Sequence, residues 1–291
     1  MRFAKYHALG NDYLVLQPAD KPEMYGAEDI ERICHRNFGL GSDGILYGPL
    51  ESKVADFRME IWNPDGSQAE KSGNGLRIFS RFLYDNGLVS GDKEFKVETL
   101  GGIVKCNVNT KESTVTVDLG QISFESSKIP VTGPSRSVEN EQLTLLEKNF
   151  AFYAVTIGNP HVVVPVHEPT KEMALTFGPL IENNTEMFPN KTNVQFMSVI
   201  DRNNIKIEIW ERGAGYTLAS GSSSSASAAV AFRMGSCDNH INVHCPGGLI
   251  QIHVSDSFDI TMTASVTRVG EFNLSEDIFS FTLPNDTGKG K

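Results

Sequence analysis

The chain contains one unit twice. Placing Ser220 on Ser72, an offset of 148 positions, lays IKIEIW (Ile205 to Trp210) over FRMEIW (Phe57 to Trp62). Glu60 then meets Glu208, Ile61 meets Ile209, and Trp62 meets Trp210, the only two tryptophans of the sequence. Both segments alternate apolar and polar residues, the period of a half-buried strand. Each is followed by a loop of small and polar residues, then Ser-Gly, then an apolar stretch of helical character. These stretches are EKSGNGLRIFSRFL from Glu70 and LASGSSSSASAAVAF from Leu218. A repeat spaced by half a chain is no short-period solenoid; it predicts two lobes of a duplicated fold.

Further strands are expected at EFKVETL, STVTVDL, FAFYAVTIG, HVVVPV, NVQFMSVI, LIQIHV and FDITMTASVTRVGEFNL. Helices are expected mainly at AEDIERICHRNF, NGLRIFSRFLYDNG, LTLLEKNF and SSASAAVAFRMG. Many strands with few helices predict an α+β protein of two pseudo-symmetric lobes, each a β-sheet wrapped around a central helix. The first lobe is placed at residues 1–118 and the second at 119–265, with the strands of about 266–291 returning to the first. SSKIPVTGPSRSVENEQ is polar, carries two prolines and reads as the crossing or a surface loop. The serine run after Ser220 reads as a helix start rather than a linker. Serine is a favoured N-cap, and an Ala-rich apolar segment follows at once.

Composition narrows the function. The chain has 291 residues, is 40% hydrophobic and 21% charged, and carries a formal charge of -10. That charge argues against a broad nucleic-acid footprint, although local groups can still hold an anion. No apolar run approaches the ~20 residues of a membrane-spanning helix, and the opening residues predict no signal peptide. Cys34, Cys106, Cys237 and Cys245 form no close CxxC pair and read as reduced thiols in a cytoplasmic protein. HINVHC (His240, His244, Cys245) has the look of a metal motif, but no further ligand stands at suitable spacing. Strand alternation explains it, and no metal is expected.

Two helix starts invite an anion. The first amides of a helix lack intrahelical acceptors, and the helix dipole is positive there. Gly73 and Asn74 would present such amides from one lobe, Gly221 and Ser222 from the other. A carboxylate held by both would place Ser72 and Ser220 on opposite faces of its α-carbon, across a cleft between the lobes. That arrangement suits removal of a proton from one face and its return on the other. The amides would stabilise the charge that develops on the carboxylate.

At this point the sequence resembles the diaminopimelate epimerases, cofactor-independent amino-acid epimerases and racemases. The resemblance is carried by ALGNDYLVL, GLGSDGILY, WNPDGSQAEKSGNGLRIF, TIGNPHVVV, KTNVQF and WERGAGYTLASGSSSSA, in the family's order and across most of the chain. It implies a pocket lined by Asn11, Asn63, Asn159, Asn193, Glu211 and Arg212, with His161 nearby. Arg212 suits a bidentate grip on a distal carboxylate, and Glu211 suits a substrate ammonium. Taken singly, each of these asparagines also reads as a turn or cap residue. The resemblance further implies conversion of L,L- to meso-diaminopimelate in lysine biosynthesis, with no cofactor and a small amino acid as partner. A homodimer stays open; nucleic acid and membrane are not expected as partners. In many relatives glutamine stands where this chain has Gly44, so one polar contact of the family is missing.

The family's two acid/base residues are cysteines at the positions of Ser72 and Ser220. A thiol ionises near pH 8.5 and is readily shifted lower, whereas a serine hydroxyl is far less acidic and needs an adjacent base. The chain as written is therefore expected to have little or no diaminopimelate epimerase activity. Three accounts stay open. The serines are a deliberate double substitution that traps substrate, or they run another reaction as a racemase or dehydratase helped by His161 or Glu211, or the protein binds an amino acid without catalysis. Lys71, which departs from the family just before Ser72, tilts the balance slightly toward natural divergence. A phosphate site at the same helix starts is weaker, because no P-loop lysine pattern is present.

Overall fold

The computed structural model describes residues 1–280 and residue 283. The chain divides into two compact units. One is Met1–Val115 with Ser265 to Ser280; the other is Thr116–Ala264. Of the stretch of about 266–291 expected to return to the first lobe, residues 281, 282 and 284–291 lie outside the described residues.

The first unit is built around helix α2, Gly73–Asp85; helix α1 is Ala27–Cys34. Asn11–Leu16 pairs in parallel with Ile45–Leu50, which pairs antiparallel with Phe57–Trp62. Phe57–Trp62 pairs antiparallel with the two residues Gln68–Ala69 and parallel with Phe95–Thr99, and the hairpin strand Gly102–Asn109 follows. Arg2–Ala8 lies antiparallel between Asn11–Leu16 and Thr267–Asn273. Helix α2 lies against Arg2–Ala8, Asn11–Leu16, Ile45–Leu50 and Gly102–Asn109. Its Leu76, Ile78, Phe79, Phe82 and Leu83 are buried. Each such side chain contributes about 1.5–3 kcal/mol through burial, so Phe79→Ala would cost about 3–5 kcal/mol. A second apolar cluster joins α1, through Ile30 and Ile33, to Leu14, Leu16, Ile45, Leu274 and Ile278.

The second unit repeats that order of pairings. Pro160–Pro165 is parallel to Asn193–Asp201, which is antiparallel to Asn204–Glu211. Asn204–Glu211 pairs with the short Gly215–Thr217 and, in parallel, with His240–Cys245, whose antiparallel partner is Gly248–Val254. The helix at the centre is α4, Gly221–Arg233, 13 residues long like α2. Ser223, Ser224, Ser225 and Ser227 are fully buried in it. A linker cannot bury four serines. A helix wrapped by strands can, because small side chains let the backbones approach and their hydroxyls bond locally. Ser225 Oγ donates to the Gly221 carbonyl at 2.8 Å, and Ser223 Oγ accepts from Gln195 at 3.0 Å.

The structure departs from the sequence reading at four places. LTLLEKNF is a hairpin, not a helix: Glu141–Leu145 pairs antiparallel with Lys148–Thr156. Leu146 and Glu147 both have positive φ, 47° and 62°, which is the two-residue turn that matches strand twist. Alternation of buried Leu143, Phe150 and Phe152 on the two strands was the period to read. Helix α3, Lys171–Glu182, was not expected, because Gly178 and Pro179 interrupt its pattern. Gly178 is required by packing: a Cβ there would lie 2.6 Å from the Trp210 side chain. FDITMTASVTRVGEFNL is two strands, Asp259–Ser265 and Thr267–Asn273, divided between the two units. SSKIPVTGPSRSVENEQ lies wholly within the second unit, with Ile129, Val131 and Val138 buried in its core. It is therefore not the crossing, which falls within the strand Thr114–Gln121.

Candidate functional site

Ser72 and Ser220 are the N-caps of the two central helices. Their backbones are nearly superposable, φ -139° and ψ 116° against φ -141° and ψ 126°. Each has extended backbone while its hydroxyl oxygen accepts from an amide three residues on, so the sequence repeat is a repeat of cap geometry. Ser72 Oγ accepts from Gly75 N at 3.0 Å, and Ser220 Oγ from Ser223 N at 3.4 Å. The amides of Gly73, Asn74, Gly221 and Ser222 open their helices and have no intrahelical acceptor.

In the first unit a polar chain backs the helix start. Fully buried Arg77 donates to Asn74 Oδ1 at 2.8 Å, and Asn74 Nδ2 donates to Asn11 Oδ1 at 3.0 Å. Asn11 Nδ2 donates to Asp43 at 2.7 Å, and Arg36 bridges Asp43 to Asp12. Burial pushes the Asp12 carboxyl up, but hydrogen bonds and charge from Arg36 and Lys5 outweigh it and hold Asp12 below the usual carboxylate range. Asn11 and Asn74 are thus oriented by a chain that ends in fixed charges. Asn63 is placed apart from it. It closes the turn after Phe57–Trp62, donating to Ser67 Oγ at 3.0 Å.

Tyr13 is the residue that sequence reasoning missed here, although it lies inside the ALGNDYLVL motif. Its hydroxyl is 3.5 Å from Ser72 Oγ. The same ring accounts for Gly44. A Cβ at Gly44 would lie 2.4 Å from the Trp62 carbonyl oxygen and 2.9 Å from Tyr13 Cε1, and the φ of +154° is itself strained for other residues. The glutamine of many relatives does not fit beside Tyr13 as the chain is folded.

In the second unit Ser220 Oγ donates to Glu211 Oε2 at 2.9 Å, and Ser222 Oγ lies 3.4 Å from Ser220 Oγ. Glu211 and Arg212 form the end of a tight hairpin, and Glu182 brackets that hairpin. One Glu182 oxygen accepts from the Trp210 indole at 2.7 Å, the other from the Gly213 amide at 3.0 Å. Glu182 is buried, and a carboxylate near a helix C-terminus is disfavoured by the dipole, so its placement serves the hairpin rather than the helix. No sequence signal marked Glu182, because the helix that carries it was itself missed.

Arg212 is exposed and reaches outward. Its backbone amide donates to Asn193 Oδ1 at 3.0 Å, and its guanidinium donates to the Asn190 carbonyl at 2.9 Å. Among the described residues it meets no carboxylate. Asn193 is fixed in turn by donating to the Pro160 carbonyl at 2.8 Å, and it stands opposite His161 in the parallel register. His161 is fully buried, with Nε2 3.1 Å from Asn159 Oδ1. Its Nδ1 is buried and has no hydrogen-bond partner among the described residues. Burial lowers the His161 pKa to about 3, so the imidazole is neutral at physiological pH. Of the two helpers considered for serine chemistry, Glu211 touches Ser220, whereas His161 is tied to Asn159. In HINVHC, the His240 ring lies 4.4 Å from the His253 ring and is tilted 48° to it, His244 bonds Asn204, and Cys245 lies 3.4 Å from Ser224 Oγ. The four cysteines are free thiols.

Solved structures share this architecture. A probable proline racemase from Agrobacterium radiobacter, with bound carbonate, matches with a TM-score of 0.69 at 14% identity, over 96% of this chain and 94% of that one. A hydroxyproline epimerase from Agrobacterium vitis, with bound trans-4-hydroxy-L-proline, matches with a TM-score of 0.69 at 14% identity, over 94% and 90%. The fold is that of the helix-centred, duplicated α+β racemases and epimerases. Within that class the sequence is specific. The diaminopimelate epimerase family model matches residues 3–125 and 153–269. Diaminopimelate epimerase 2 of Nostoc sp. is 56% identical over 280 residues, 96% of this chain and 98% of that protein. The diaminopimelate epimerase of Caldanaerobacter subterraneus is 38% identical over 272 residues, 92% and 97%. The chain belongs to the diaminopimelate epimerase family. Among the described residues no helix is long and apolar enough to cross a membrane.

Proposed function

We propose that this protein inverts the α-carbon of diaminopimelate, interconverting the L,L and meso forms without a cofactor, with serine hydroxyls where its family uses thiols. The observation that carries the reading is the pair of matching N-caps, Ser72 and Ser220, in a chain of this family. The helix-opening amides of Gly73, Asn74, Gly221 and Ser222 take the reacting carboxylate. In each unit the N-cap serine is the acid/base group, Ser72 in the first and Ser220 in the second. Arg212 takes the distal carboxylate; Asn11 and Asn63 of the first unit, and Asn159, Asn193 and Glu211 of the second, are the other substrate-binding side chains, with His161 behind Asn159. Fixed amide dipoles stabilise the charge that appears as the α-proton leaves. The free thiols support a cytoplasmic setting.

Turnover is slow, because a hydroxyl is a much weaker acid than a thiol. The bond from Ser220 to Glu211 is what separates this site from an unassisted hydroxyl. Deuterium incorporation at the α-carbon of L,L-diaminopimelate in deuterated water tests the proposal. Slow exchange that accelerates in Ser72→Cys with Ser220→Cys supports it. Tight binding without exchange in either form would leave an amino-acid-binding protein instead.

A further inference from the structure

HINVHC lacks a further ligand along the chain, and the fold supplies one from the neighbouring strand. In the second unit His240–Cys245 runs antiparallel to Gly248–Val254, and the register sets His240 opposite His253. Alternation puts Ile241, Val243, Ile252 and Val254 on the buried face, so both imidazoles stand on the outer one. Their ring centres are 4.4 Å apart. One side chain contacts both rings: Asn239 Oδ1 is 2.9 Å from His240 Nδ1, and Asn239 Nδ2 is 3.5 Å from His253 Nε2. An amide oxygen only accepts and an amide nitrogen only donates. Asn239 therefore holds the proton of His240 on Nδ1, which leaves the lone pair on Nε2, and it meets His253 at an Nε2 that also carries a lone pair. Asn239 is itself pinned, because its carbonyl accepts from the Val254 amide at 2.9 Å. The same face forms an open hollow of about 450 Å³, lined also by Asn203, Gln251, Thr261 and Thr263, none of them charged.

We propose that His240 and His253 form a two-imidazole site for a divalent transition cation of the zinc, nickel and copper group. Imidazole suits these metals. Calcium and magnesium take carboxylate and other oxygen ligands, and the hollow offers no carboxylate. Each histidine ligates through Nε2. The His240 ring is exposed and its terminal torsion is broad, so it can turn Nε2 toward His253. The contact displaced at His253 is the long one of 3.5 Å to Asn239. Asn239 Oδ1 remains the acceptor on His240 Nδ1, the outer partner that fixes tautomer and ring orientation at a metal-ligating histidine. Among the described residues no three His, Cys, Asp or Glu gather into a metal-sized group, so water in the hollow completes the coordination. A cation held here joins the open end of the hairpin, because His240 begins one strand and His253 nearly ends the next. Only the folded chain pairs these residues, so binding stabilises the second unit. The site is separate from the α-carbon chemistry and does not rest on it.

The test is calorimetry of the full, tag-free chain with zinc chloride, with magnesium chloride as the comparison. Zinc should bind and magnesium should not. His240→Ala and His253→Ala should each weaken zinc at least ~10-fold, and Asn239→Ala by roughly 10-fold, the usual worth of an outer partner. His244→Ala should leave zinc affinity unchanged. Saturating zinc should raise the urea midpoint of the parent and leave that of His253→Ala where it was. Copper(II) added to the parent should show two imidazole nitrogens by electron paramagnetic resonance, and one in His253→Ala. The parent spectrum decides the matter even where a variant fails to fold, and copper held by fewer than two imidazoles there overturns the proposal. So does a parent that takes up no zinc, or that binds magnesium as tightly. Zinc affinity unchanged in His240→Ala or His253→Ala overturns it too, as does a loss in His244→Ala as large as theirs.

Discussion

Ser220 and Glu211 are joined by a 2.9 Å hydrogen bond that the fold holds in place from both ends. Glu211 closes the strand Asn204–Glu211, which pairs through Ile209 and Trp210 with Thr217 and Tyr216. The chain then enters the cap of α4 at Ser220. Neither side chain has to search for the other, because the hairpin between them sets the spacing. Under the proposed function this carboxylate is the adjacent base that serine chemistry requires.

Restoring both thiols should raise the rate sharply. Ser72→Cys with Ser220→Cys is expected to exchange the α-proton of diaminopimelate at least ~100-fold faster than the parent, since general acid–base groups contribute factors of this order. Each single change should recover far less, because the two groups act as a unit. Deuterium incorporation followed by mass spectrometry decides this. A double variant no faster than the parent would show that the serines are not what limits the rate.

Arg212 should discriminate by the second carboxylate. Arg212→Ala is expected to weaken a dicarboxylic amino acid by about 10- to 100-fold, the worth of a charge-assisted pair. A monocarboxylic analogue should lose little. Equal losses by calorimetry would remove Arg212 from the distal end of the substrate.

His161 gives stability a pH dependence of defined sign. Its folded pKa is about 3, against ~6.5 for an unfolded histidine. The stability this neutral imidazole allows is fully present above pH ~6.5 and is lost as pH falls from there toward 3, because the unfolded chain then binds the proton first. His161→Gln should flatten the change between pH 7 and pH 5. Urea titrations at the two pH values measure it, and parallel slopes for both proteins would contradict the assignment.

Glu182 should matter to both stability and binding. Glu182→Ala leaves the Trp210 indole and the Gly213 amide without their acceptor, at a cost of about 2–4 kcal/mol. Because these contacts flank Glu211 and Arg212, affinity for a dicarboxylic amino acid should fall as well. Chemical denaturation followed by tryptophan fluorescence, with calorimetry of the same variant, reads both. A variant as stable and as tight as the parent would show that the bracket is unnecessary.

Much of the architecture is legible along the chain. The 148-residue offset from Ser72 to Ser220 rests on strand periodicity and cap chemistry, both of which are local. Those local rules place FRMEIW and IKIEIW as strands and the Ser-Gly steps as helix starts, as the structure has them. They fail at LTLLEKNF, where a two-residue turn with positive φ is hidden by residues that also favour a helix. They fail again at Lys171–Glu182, where Gly178 looks like a break and is instead the only residue that fits against Trp210.

The sequence by itself determined the duplication, the positions of the two caps and the serine at each, because each is a matter of spacing and residue identity. Tertiary structure alone decided which groups stand behind the caps. Tyr13 reaches Ser72 from 59 positions away, and Glu182 reaches Trp210 from 28. Such contacts depend on the parallel register of strands and the docking of a helix, which no local pattern encodes. A hydroxyl's chemistry is set by its neighbours in space, and for Ser72 and Ser220 those neighbours are brought in by the fold.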